Sequence, residues 1–207
     1  MSEDGGVSRQ RQREVAEEAA RIAAQSGDAY QELLAEGARY HSQQDCRRAA
    51  RAFREAIALR PDVPNAYFGL GASLGNSGHY VEAAQRFLEA TERCLMGSEN
   101  WASATAWAFS MLTREECAEV AKPEWWNDEE LKALSARVVG AAPNHWIAYQ
   151  MRAIVLRGQC GAWEEGPRSA AEFNDAATHF DQAAALHPAP AMKAELASRA
   201  NQCRSPG

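Results

Sequence analysis

Five histidines (His41, His79, His145, His179, His187) and five cysteines (Cys46, Cys94, Cys117, Cys160, Cys203) are the side chains here best suited to bind a metal or attack a substrate. Neither set has the spacing such chemistry needs. Zinc sites draw on close Cys or His pairs, and a disulfide framework needs an even count. These cysteines are odd in number and far apart, which suits buried free thiols in a reducing compartment. The histidines fall at turns and helix ends, never on one helix face at a ligating interval. Acidic runs occur at Glu115-Glu116, Asp128-Glu129-Glu130 and Glu164-Glu165. The first two sit at helix starts, where the helix dipole favours negative charge by about 0.3–1 kcal/mol each. No Ser-His-Asp or Cys-His constellation can be nominated. The expectation is a protein that is not an enzyme, with no catalytic residues, no metal ligands and no cofactor.

A charged surface is the next candidate. Arg47, Arg48, Arg51 and Arg54 line one side of a helix, a pattern that serves either as an anion-binding stripe or as a solvated face with an Arg51–Glu55 pair. Acids balance bases in this region and the net charge of the chain is −6, which disfavours nucleic acid and membrane surfaces as partners. No apolar run approaches the roughly 20 residues that span a bilayer. The first residues, Met1-Ser-Glu-Asp-Gly-Gly, lack the apolar stretch of a secretory signal, so a cytoplasmic location is expected, with the nucleus as the alternative.

The arrangement of helices is more informative. Ala, Glu, Arg, Leu and Gln dominate and β-branched residues are sparse, a mixture that favours helix and argues against any sheet. A seven-point pattern occurs three times. It runs Leu33, Gly37, Tyr40, Ala49, Phe53, Ala56, Pro61, and after a shift of 34 residues Tyr67, Gly71, Leu74, Ala83, Phe87, Ala90, with Leu95 in the proline's place. The third copy is Tyr149, Ala153, Leu156, Ala176, Phe180, Ala183, Pro188. Such periodicity marks stacked helix pairs rather than one globular core. Gly37 and Gly71 remove side chains where helices cross, and Phe53 and Phe87 fill the gap toward the next pair.

These positions resemble the tetratricopeptide repeat family over residues 30–95 and again over 146–188. The resemblance implies an all-α helical repeat array, an α-solenoid with flanking helices at both ends. Residues 1–28 form a tail and flanking helix, with Val15, Ala19, Ile22 and Ala23 as its apolar face, and 29–207 form the repeat domain. Its units cover about 30–63, 64–97, 98–145 and 146–188, followed by a capping helix over 190–202. The third unit carries an insertion near Thr113–Trp126, expected to contain a short extra helix, and has Ser135 where the pattern calls for phenylalanine. The fourth carries an insertion over about Gln159–Ser169.

The resemblance further implies a concave groove, lined by the first helix of each pair, that receives a partner peptide or helix. Local match places Gln31, Leu34, Ala38 and His41 there from the first unit, and Asn65, Phe68, Ala72 and Asn76 from the second. The third unit offers Ala102, Ala106 and Phe109, and the fourth Gln150, Ile154 and Arg157. The members that grip a chaperone's C-terminal carboxylate do so with Lys, Asn and Arg. Leu34, Ala38, Gly69, Glu99 and Ser103 stand at those positions here, so that ligand is disfavoured. Trp125, Trp126 and Trp163 lie in or beside the insertions and form a candidate accessory surface, unless the insertions pack on each other. The expected function is a scaffold or adaptor that binds a protein or peptide. The alternatives are a self-associating subunit of a larger assembly and an RNA-binding helical repeat.

Overall fold

The computed structural model describes residues 10–11, 13–19, 21–22, 27–161 and 163–205. Nine helices are labelled here along it: α1 (Ala29–Ser42), α2 (Cys46–Leu59), α3 (Pro64–Asn76), α4 (Tyr80–Arg93), α5 (Glu99–Leu112), α6 (Asp128–Ala141), α7 (Trp146–Arg157), α8 (Ala170–Leu186) and α9 (Pro190–Arg204). Residues 10–11, 13–19 and 21–22 are also helical. Within each compact unit the helices pack chiefly on their sequence neighbours, the pattern of an all-α helical repeat array. The chain divides into two compact units, 1–94 and 95–207.

In the first unit local chemistry sets the helix ends. Asp28 caps α1 by accepting from the Tyr30 amide at 3.0 Å, and Asp45 caps α2 by accepting from Arg48 at 3.1 Å. Pro64 opens α3, where its missing N–H costs nothing. Helix α1 packs on α2, α3 on α4, α2 on α3, and α1 also touches α3. Glycine makes this close packing feasible. A β-carbon at Gly37 would come 2.7 Å from the Phe53 ring, and one at Gly69 would come 2.5 Å from it. The ring of α2 therefore lies in a slot cut into both α1 and α3. Gly71 meets Phe87 in the same way, with a β-carbon 3.1 Å from the ring.

The second unit keeps the scheme and interrupts it twice. Helix α5 packs on α6 and α7, followed by α7 on α8 and α8 on α9. At the position lacking phenylalanine, buried Ser135 receives Arg152 Nη1 at 3.1 Å, and the same nitrogen donates to the Lys132 carbonyl at 2.7 Å. An arginine from the next helix thus substitutes for the expected ring.

Both insertions depart from a regular repeat, and the second corrects an expectation. The short extra helix expected in the first insertion is present as one 3₁₀ turn, Glu115–Cys117, shorter than its start and stop signals suggest. The Leu112 and Cys117 carbonyls are taken by the Lys122 ammonium, which closes the segment on itself. The second insertion contains β-structure, against the compositional argument: β1 (Gln159–Cys160) pairs antiparallel with β2 (Trp163–Glu164). Left-handed Gly158 (φ 78°) ends α7 and Gly161 (φ 56°) turns the hairpin, conformations that composition averages conceal.

Candidate functional site

In the first unit, α1 and α3 carry the residues expected to line a groove. His41 Nδ1 lies 3.2 Å from Ser73 Oγ, and Asn76 Nδ2 lies 3.4 Å from His41 Nε2, so the two helices are joined across their shared face. Burial lowers the His41 pKa from its ordinary value, which favours the neutral ring. Phe68 is half-buried and meets Phe87 edge-on at 5.3 Å. Gln31, Ala38, Asn65 and Asn76 are exposed and Ala72 is half-buried. Leu34 departs from its expected role, since it packs in part against the Tyr30–Ala56–Ala66 core.

The N-terminal helical residues reach this same face. Arg11, Val15, Ala16 and Ala19 line a cavity of about 610 Å³ together with Ala38, His41 and Ser42. Among the described residues of that helix Ala16 is the buried one, whereas Val15 and Ile22 are 64% and 59% exposed. The apolar face expected from Val15 and Ile22 is therefore not the packed one; Ala23, named with them, lies outside the described residues. Along α2, Arg51 Nε pairs with Glu55 at 2.8 Å, and Arg39 and Arg48 stack on the Tyr40 ring at 4.4 and 5.4 Å. Two of the stripe's arginines, Arg48 and Arg51, are thus engaged locally.

The second unit is built differently. Phe109 is fully buried, covered by Trp126 (ring centroids 5.3 Å) and Trp163 (5.7 Å). The two insertions pack on each other over α5, with Trp126 and Trp163 at 6.3 Å and Trp125 stacked outside Trp126 at 5.7 Å. Phe109 and Trp163 are corrected accordingly, as neither presents itself to a partner. Trp163 is only 6% exposed, because the hairpin drives it into the core. Trp125 and Trp126 remain half-buried. Ala102 and Ala106 are buried, so these expected groove positions are also closed, and Ile154 is 3% exposed.

What the insertions leave open is a pair of cavities. One, about 370 Å³, is lined by residues that include Ser110, Arg114, Glu115, Gln150, Ile154 and Cys160. The other, about 470 Å³, is bounded by Arg157, Gln159 and α9 residues Glu195, Ser198 and Gln202. Cys160, Gly161 and Arg199 line both. Three expected groove residues, Gln150, Ile154 and Arg157, thus come together here. Gln150 Oε1 is buried and has no hydrogen-bond partner among the described residues.

A charge cluster holds this region in place. Arg168, whose side chain is 3% exposed, reaches Asp128 at the start of α6 at 2.6 Å. Lys132 bridges Asp128 (3.0 Å) and Glu172 (2.6 Å). Glu172 also completes a capping box with Ser169, accepting from its amide at 2.8 Å. The Lys132 hydrogen bond, followed by that from Ser169, depresses the Glu172 pKa to about 2. Arg168 hydrogen-bonds Asp128 and lowers its pKa below the usual carboxylate value.

Sequence reasoning missed the walls of the cavities. Thr113-Arg-Glu-Glu116 and Asn127-Asp-Glu-Glu130 read as helix starts, not as walls; Gln159, Gly161 and Arg199 carry no motif, and the Ser169-x-x-Glu172 capping box was a readable signature that went unused. Among the described residues no group of His, Cys, Asp and Glu is arranged to hold a metal, and no helix is long and apolar enough to cross a membrane. No family model matches the chain, and the search of curated proteins finds no match.

Proposed function

We propose that this chain is a non-enzymatic protein-interaction module of the tetratricopeptide type, a scaffold or adaptor that receives a partner helix or peptide on the α1–α3 face. The reading rests most on one observation. His41, Ser73 and Asn76 tie α1 to α3 while exposed Ala38, Asn65 and Asn76 and half-buried Phe68 remain on one surface. A nearly neutral mixture of small, amide and aromatic groups suits a helix or an uncharged peptide. The N-terminal helix shares part of the face, and the cavity of about 610 Å³ beside Ala38 marks that docking as loosely packed.

The test is capture of partners from the native source with the wild-type chain, Phe68→Glu and Ala38→Arg. Phe68 leans on Phe87, so the exposed Ala38 supplies a variant that leaves folding alone. Loss of the same proteins with both variants supports the reading, and identical recovery with all three chains sinks it.

A second reading, self-association, is favoured by Leu95 and Met96, adjacent residues that are 81% and 72% exposed. Light scattering decides it. A mass that rises with concentration and returns to monomer in Leu95→Ser/Met96→Ser would favour assembly.

A further inference from the structure

Beside the β-hairpin the second unit keeps an open space, bounded by β1 and α9. In the hairpin Gln159 pairs with Glu164 and Cys160 with Trp163, while the Glu165 amide donates to the Gly158 carbonyl at 2.8 Å. Hydrogen-bonded and non-bonded pairs alternate along an antiparallel ladder. Gly158–Glu165 is a bonded pair, so Gln159–Glu164 is a non-bonded one. The Gln159 N–H and C=O therefore point away from β2. No third strand joins the sheet among the described residues. On the β2 side, Trp163 is locked against Phe109, which fixes the hairpin as a template. On the β1 side lie the two adjoining cavities, one of them bounded by α9.

We infer that an extended peptide adds as a third strand to β1, in the gap between the hairpin and α9. Gln159 supplies one donor and one acceptor to the peptide main chain, the recognition mode of an open sheet edge. Successive side chains of the added strand alternate in direction, and the cavities flank the strand to receive them. Arg114, Arg157 and Arg199 are balanced by Glu115, Glu116 and Glu195 along the two linings, so the ligand carries no net charge. This site lies in a different unit from the α1–α3 face and stands without it.

The experiment pans a random linear peptide library against the full chain and counter-selects against Ser198→Trp. Ser198 is exposed on α9, and its replacement fills the gap without touching the core. The expected result is a set of uncharged peptides that bind wild type at least about tenfold more tightly than Ser198→Trp, a difference of about 1.4 kcal/mol. They should bind Phe68→Glu unchanged and shift the Gln159 backbone amide resonance. Methylating alternate peptide nitrogens should abolish binding in one of the two registers. No peptide that distinguishes wild type from Ser198→Trp, selected peptides that bind as helices, or tolerance of methylation in both registers would each overturn the assignment.

Discussion

Gly161 stands so close to Thr113 that a β-carbon there would come 2.2 Å from the Thr113 carbonyl oxygen. The contact joins the tip of the hairpin to the start of the first insertion, two segments far apart in sequence. Gly161 also has φ 56°, a conformation that costs any residue with a side chain. Gly161→Val should therefore lift the hairpin and loosen the Trp126–Trp163 contact, costing about 1–3 kcal/mol. Urea unfolding measures the loss, and a red shift of tryptophan emission in the native state locates it.

Arg168 supplies a second prediction. Its guanidinium is buried and hydrogen-bonded to Asp128, linking the start of α6 to the segment before α8. Hydrogen bonds to charged groups contribute about 1.5–3 kcal/mol. Arg168→Met should lower the melting temperature accordingly, whereas exposed Arg47→Met should leave it unchanged. Equal effects of the two would show that the buried pair is not what holds the insertion.

Stability should fall in acid in two stages. Burial lowers the pKa values of His41, His145, His179 and His187 from 6.5, so the native state prefers their neutral rings. Their contribution is present above pH 6.5 and declines as pH falls through the lower native values. The Glu172 carboxylate acts later. Its pKa drops from 4.5 to about 2 on folding, so its contribution is held above pH 4.5 and lost toward pH 2. Urea midpoints across this range check both stages. Glu172→Gln should flatten the lower one and leave the upper one in place.

The glycine slot around Phe53 gives a fourth. Gly69→Ala puts a methyl group 2.5 Å from a ring already clasped by α1, and should cost about 1–3 kcal/mol. Gly71→Leu should cost as much through Phe87. Gly140 has open space around it, so Gly140→Ala should be neutral or stabilising. Melting temperatures in that order support the packing described, and a Gly69→Ala chain as stable as wild type contradicts it.

The sequence made the regular parts legible and the exceptions obscure, for a physical reason. Leu33, Gly37, Ala49 and Phe53 act through local spacing, and the pairs α1–α2 and α3–α4 follow from it. The break at Ser135 was visible as a missing ring, but its remedy comes from Arg152 on the next helix. The hairpin was invisible because strands of two residues carry no period, and its stability comes from Trp163 meeting Phe109. The groove positions on α5 require that helix to stay open, and spacing alone does not say whether the insertions pack on each other over it. Tryptophans from both insertions close over it instead, and the cavity walls come from residues without any pattern.

Phe53 belongs to α2, yet its ring touches backbone on both α1 and α3. A single side chain thus serves as the pivot on which the first two helix pairs bear. Sliding one pair past the other would drive main chain through the ring, while turning about it would not. Any displacement of α1–α2 along α3–α4 must therefore carry the Phe53 ring out of its slot, so this one side chain fixes the register of the two pairs.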